Sequence, residues 1–121
     1  YVMKEKVLVL GASENSSRYS YKAILKLKEY GHQVFAIGKK AGEVRGVPVK
    51  TIFPTHKIDT ISIYLNLSNQ KEYYERILDS EPNRIIFNPG AENNQLYMLA
   101  KKNNIRVLNA CTLVMLSIGN F

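Results

Sequence analysis

Apolar runs closed by glycine, asparagine or proline alternate along this chain with stretches whose hydrophobic residues recur at helical spacing. Val7-Leu8-Val9-Leu10 is a continuous β-favouring run ending at Gly11, the pattern of a central strand buried on both faces. Between Ser17 and Tyr30 the period changes. Tyr21, Ile24, Leu25 and Lys28 share one side with Leu27 beside them, which predicts a helix ended by Gly31 as a left-handed C′ residue. Gln33–Ile37, closed by Gly38, reads as a second strand and Ile61–Leu65 as a third. Asn69 with Glu72 three residues later predicts a capped helix running to about Ser80, stopped by Pro82. Arg84–Phe87 predicts a fourth strand ending at Asn88-Pro89-Gly90. Leu96, Leu99, Ala100 and Asn103 mark another helix, Ile105–Leu108 a fifth strand, and Thr112–Ile118 a helical turn packed on the sheet. Residues 39–58 carry Gly42, Gly46, Pro48 and Pro54 and predict a loop, with at most a minor edge strand at Val47-Pro48-Val49.

Strands separated by single helices need crossover connections. The expected fold is therefore α/β: one domain over residues 1–121, with a single doubly wound, mainly parallel five-stranded sheet of Rossmann-like type. The length of 121 residues agrees with one domain. No apolar run approaches the roughly 20 residues that cross a bilayer. Seventeen Lys+Arg against ten Asp+Glu give a formal charge of +7, which favours anionic ligands without choosing among them. The basic residues form no block, which argues against a nucleic-acid partner. A single cysteine, Cys111, excludes an internal disulfide and a Cys-rich metal site. With no signal-peptide pattern at Lys4-Glu5-Lys6, the expected setting is the cytoplasm.

In such sheets ligands lie outside the carboxyl ends of the strands, so the residues just after each strand carry the candidate chemistry. The first loop, Gly11-Ala12-Ser13-Glu14-Asn15-Ser16-Ser17-Arg18, joins a buried strand to a helix, the context of a phosphate site. The dinucleotide fingerprint asks for glycine at positions 11, 13 and 16. Only Gly11 is present, and Ser13 and Ser16 offer hydroxyl donors in place of the other two, with Arg18 a charge-assisted donor nearby. An ordinary polar turn capped by serine is the competing reading. After the second strand, an NAD site wants an acidic residue. Gly38-Lys39-Lys40 stands there instead and suits an extra phosphate on an adenosine ribose, as NADP and coenzyme A carry, or else is simply solvated. Cys111 is either a thiol facing the site or a small buried hydrophobe. His32 and His56 read as surface residues, and Glu14 and Glu92 lie in separate loops. No metal-ligand spacing or catalytic constellation is visible.

Several segments together resemble the small bacterial CoA-binding domain proteins, themselves similar to the first domain of the succinyl-CoA synthetase α subunit. They are Val9–Tyr21, Gly31–Pro48, Asp59 with the strand after it, Asn88-Pro89-Gly90-Ala91-Glu92-Asn93 and Asn109-Ala110-Cys111-Thr112-Leu113-Val114. The resemblance implies that Gly11, Ala12 and Ser13, with Ser17 and Arg18, cradle the coenzyme A phosphates, and that Lys40 meets the adenosine end. Asn66 and Asn88-Pro89-Gly90 would line the arm leading to the thiol. Where the family pattern has Asn-Pro before this lysine, the chain has Gly38 and Lys39, which keeps the cation and alters the backbone. Synthetases of this type carry their phosphorylated histidine in a later domain, and this chain ends at Phe121. The implied function is a stand-alone, non-catalytic module for coenzyme A or an acyl-CoA. The alternatives are an NADP-binding reductase-type domain and a regulatory protein-interaction domain whose ligand site has decayed. Leu113–Leu116 would serve either a homodimer surface or the core, and an enzyme partner is the other expected association.

Overall fold

The computed structural model of the chain describes residues 4–121; the first three residues of the expected domain lie outside the described residues. Its sheet is built on three apolar runs that pair in parallel: β1 (Lys6–Leu10), β2 (Gln33–Ile37) and β5 (Thr60–Ile63). Residues 7–10 of β1 are fully buried, as a two-sided apolar run requires. β6 (Arg84–Phe87) and β7 (Arg106–Asn109) extend the parallel set on the far side.

Among the described residues the sheet has seven strands, in the order β3-β4-β2-β1-β5-β6-β7, against five expected. The two additional strands, β3 (Gly42–Val44) and β4 (Val47–Lys50), form an antiparallel hairpin in the stretch expected to be loop. Val44, Val47 and Val49 point inward while Glu43, Pro48 and Lys50 face out, a half-buried alternation that the glycines and prolines mask. The turn is made by Arg45 and Gly46, both at positive φ (47° and 88°), the conformation that a two-residue hairpin needs. Pro48 costs nothing here, because the ladder from β4 to β2 begins only at Val49.

Helices cover both faces. α1 (Tyr19–Glu29) buries Ser20, Ala23, Ile24 and Leu27 against Val7, Val9 and Ala36. Gly31 ends it at φ 88° as expected. Between β5 and β6 the chain forms α2 (Leu67–Gln70), a 3-10 turn over Lys71–Tyr73 and α3 (Tyr74–Asp79). The cap of this segment is Asn66, whose Oδ1 accepts from the Asn69 N–H at 3.0 Å, and not the expected Asn69–Glu72 pair. The helix opens three residues earlier because Asn66 leaves the strand in an extended conformation. α4 (Asn94–Lys102) is capped by Asn93. α5 (Thr112–Ser117) buries Met115 and Leu116 and leaves Val114 exposed, so half of the Leu113–Leu116 run is core. No helix among the described residues is long and apolar enough to cross a membrane.

At the end of the sheet opposite the candidate site, Arg84 is buried. It donates to Thr60 Oγ1 at 2.8 Å and to Glu5 Oε2 at 3.2 Å, and its guanidinium lies 4.4 Å from the centre of the Phe121 ring. His32, expected at the surface, is 5% exposed in the same cluster. Its Nδ1 accepts from the Glu5 N–H at 3.1 Å and its ring lies 5.0 Å from that of Phe121. Burial pulls the imidazole pKa below its ordinary 6.5, with Glu5 opposing and Lys4 and Arg84 assisting. An unfolded His32 therefore takes up its proton first as pH falls, so the contribution to stability is present above about pH 6.5 and lost below it. The urea midpoint is expected to fall between about pH 7 and pH 5, with a shallower fall in His32→Asn. An identical slope in the two proteins would assign the loss to other groups.

Candidate functional site

The chain leaves β1 in one direction to reach β2 and returns on the other side at β5. This reversal opens a crevice of about 930 Å³ at the carboxyl ends of these strands, toward the upper end of the range for small-molecule sites. Its first wall is the loop after β1. Gly11, at φ 97°, starts that loop under Leu65, whose backbone N would lie 3.1 Å from a Cβ at this position. The loop is anchored at both ends. The N–H groups of Gly11 and Ala12 both donate to Ile37 O, at 2.8 and 2.9 Å, and Glu14 Oε2 accepts from the Glu43 N–H at 3.0 Å. The loop thus rests on β2 and on the β3–β4 hairpin.

Within the loop, Ser13 Oγ accepts from the Asn15 N–H and Asn15 Oδ1 accepts from both the N–H and the hydroxyl of Ser17. Local turns of this kind shape the backbone and use up polar side chains. The backbone N–H groups of Ser13, Glu14 and Ser16 have no partner among the described residues. α1 is entered through Arg18, in the N-cap position, with no side-chain cap and no acid in its first turn, so its first N–H groups and the positive end of its dipole are uncompensated. Ser13 closes the turn on the Asn15 N–H, as the competing reading of this loop expects, but no serine caps α1 itself.

The opposite rim comes from Lys39 and Lys40; Gly38, which precedes them in the link from β2 to β3, is buried and lies outside the lining. Gly38 passes so close to the first loop that a Cβ there would stand 2.4 Å from Ala12 O. Lys39 and Lys40 are exposed and line the same crevice as Ser13, Ser17 and Arg18. Neither lysine nor Arg18 forms an ion pair among the described residues. Three cations and one carboxylate, Glu14, therefore face this volume.

Asn66 and Pro89 also line the crevice. Asn88 does not. It is buried beneath, donating to Ser62 Oγ and Ile63 O at 2.9 Å each and accepting from the Thr112 N–H at 2.8 Å, so its side chain is structural. Ser16 and Gly90 lie outside the lining as well; the Gly90 N–H donates to Glu92 Oε1 at 2.9 Å. Cys111 is a half-buried free thiol at the start of α5, also outside the lining.

Tyr64, Leu65, Asn69 and Tyr19 join the lining without having been singled out from sequence. Tyr64 was expected inside the third strand, over Ile61–Leu65; β5 ends at Ile63, which places Tyr64 directly after it at the reversal point. Its hydroxyl is buried with no hydrogen-bond partner among the described residues, and burial pushes its pKa up to about 12, moderated by the nearby hydroxyls of Ser62 and Thr112. At neutral pH it is a protonated phenol and not a base.

A family model described as "CoA binding domain" matches residues 5–117. Among solved structures the chain is similar to a crystal structure of an uncharacterized protein, with 41% identity, 99% of this chain and 100% of that one covered, and a TM-score of 0.96. It is also similar to cell-free ID.343 from Thermus thermophilus, with 19% identity, 98% and 91% covered and a TM-score of 0.86. The dinucleotide forming acetyl-coenzyme A synthetase 1 of Ca. Korarchaeum cryptofilum, in its apo form, matches at 18% identity and a TM-score of 0.74; the match covers 88% of this chain and 26% of the synthetase. At such identities the last two similarities show the fold alone. No curated protein matches the chain.

Proposed function

This chain belongs to the CoA-binding domain family, and from that premise we propose that it binds coenzyme A or an acyl-CoA in the crevice beyond β1, β2 and β5. One observation carries the reading. A loop with free backbone N–H groups at an uncapped helix start, and a pair of lysines some twenty residues away in sequence, line one crevice. Coenzyme A presents a pyrophosphate and a separate phosphate on its adenosine ribose, and these two receptors match the two groups. In this reading the free N–H groups of Ser13, Glu14 and Ser16, the Arg18 guanidinium and the α1 start hold the pyrophosphate, while Ser17, whose N–H and hydroxyl both donate to Asn15 Oδ1, shapes the loop. Lys39 and Lys40 hold the ribose phosphate, and Asn66 and Pro89 flank the departing arm. Gly11, Ala12 and Gly38 shape the backbone and do not donate to the ligand.

The proposed role is that of a holder and not a converter of the ligand. Two features support it: the carboxylate of Glu14 is bound to the Glu43 N–H, and Tyr64 is held protonated. The proposal includes a cytoplasmic setting, with neither nucleic acid nor membrane as partner, and with a protein partner or second copy receiving or delivering the ligand.

Titration calorimetry with coenzyme A and with 3′-dephospho-CoA tests this. The dephospho ligand is expected to bind about five- to thirtyfold more weakly, because two exposed charge pairs contribute on the order of 0.5–1 kcal/mol each. The gap is expected to close in Lys39→Gln/Lys40→Gln. Equal affinities in the unaltered protein would remove the role given to the lysines, and no binding of either ligand would overturn the reading.

A further inference from the structure

Beyond Asn66 and Pro89 a second hollow of about 450 Å³ lies between the same two segments of chain. Its walls are α2 with the 3-10 turn on one side and the residues leading into α4 on the other. The helical turn at 66–70 divides the two spaces: Asn66 and Asn69 face the crevice, and Leu67, Ser68 and Lys71 line the hollow. Resting on the reading of the crevice as a coenzyme A site, we propose that this hollow receives an apolar acyl group at the end of the ligand's arm.

The polar groups nearest the floor are already engaged within the protein. Asn93 donates to Gln70 Oε1 at 2.9 Å and to Tyr74 Oη at 2.7 Å, and accepts from the Leu96 N–H. Ser68 Oγ donates to Asn66 Oδ1, and Glu92 accepts from the Gly90 N–H. A ligand entering here meets no unpaired buried donor or acceptor on this floor, so hydrogen bonding does not select it. Besides the exposed Asn94 and Gln95 at its edge, the hollow offers apolar surface: Leu67 is 58% exposed, and Tyr74 lines the same hollow. An exposed leucine alone is ordinary. Here it stands beside a hollow that continues the walls of the crevice, where the arm of the ligand would emerge between Asn66 and Pro89. The occupant that this favours is carbon chain or ring, with the Lys71 ammonium, which has no ion pair among the described residues, left at the wet rim.

Calorimetry with coenzyme A and hexanoyl-CoA, on the unaltered protein and on Leu67→Glu, decides the matter. Hexanoyl-CoA is expected to bind about tenfold more tightly than coenzyme A, since burying about two methylenes of the chain yields that factor. In Leu67→Glu, which alters an exposed side chain, coenzyme A is expected to bind unchanged and the hexanoyl advantage to vanish. Equal affinity of the two ligands in the unaltered protein would overturn the acyl hollow while leaving the crevice reading intact. A hexanoyl advantage that survives Leu67→Glu would place the acyl group elsewhere. Failure of both ligands to bind would overturn the crevice reading, and the hollow would fall with it.

Discussion

Gly38→Ala is expected to destabilise the protein by about 1–3 kcal/mol and to lower coenzyme A affinity tenfold or more. The residue does not sit in the left-handed region of backbone space, so the objection is one of room. A methyl group would stand 2.4 Å from Ala12 O and 3.1 Å from Val49 Cγ1. The oxygen belongs to a backbone that is itself tied down, because the Ala12 N–H donates to Ile37 O, in the strand ending one residue before Gly38. Either the first loop moves away from β2, losing that bond, or the link carrying Lys39 and Lys40 moves off the loop. Both displacements separate the two anion receptors, and binding groups must be held to within about 0.5 Å to keep their geometry. Gly90→Ala is the informative contrast. Gly90 also has a special conformation, φ 91°, yet nothing lies within 4 Å of a Cβ placed there, so a stability loss of about 1–2 kcal/mol is expected without a change in affinity. Thermal melting and calorimetry on both variants separate the two effects. Unchanged affinity in Gly38→Ala would show that the contact between loop and link does not shape the site.

The contrast between these two glycines also marks what the sequence could and could not disclose. Central strands were legible because burial on both faces writes itself as an unbroken apolar run, as in Val7–Leu10 and Ile85-Ile86-Phe87. The hairpin at Gly42–Lys50 was not, because its edge position calls for alternation, and Gly42, Gly46 and Pro48 read as breakers. The loss bears on function, since Glu43 of that hairpin binds Glu14 and so steadies the first loop. The loop itself was identifiable from its place between strand and helix. Which of its N–H groups remain free was not, because the claim of Ile37 O on Gly11 and Ala12 is a long-range contact. The same holds for Asn88. Its position after β6 suggested a ligand contact, and only the approach of α5 from some 24 residues onward shows that its oxygen is committed to Thr112. His32 likewise is buried by residues distant in sequence, Glu5 and Phe121.

Asn88→Leu is expected to divide stability and binding the other way. The side chain is nearly the same size, so the substitution leaves little cavity and its cost is polar. Ser62 Oγ keeps its bond to Thr112 Oγ1, and Ile63 O keeps the Asn88 N–H. The Thr112 N–H is left buried with no acceptor, beside a leucine methyl in place of Asn88 Oδ1. One orphaned buried donor together with two lost bonds amounts to about 2–4 kcal/mol, a large share of the roughly 5–15 kcal/mol available to a domain of this kind. The loss falls first on α5, whose opening turn hangs from that bond, so hydrogen exchange is expected to rise most over residues 112–117. Coenzyme A affinity, measured at a temperature where the variant remains folded, is expected to stay within about threefold of the parent, because Asn88 faces the protein interior and Pro89 the crevice. An unchanged urea midpoint with affinity lost would reverse the assignment, making Asn88 a direct ligand contact and obliging the chain between β6 and α4 to open when coenzyme A enters.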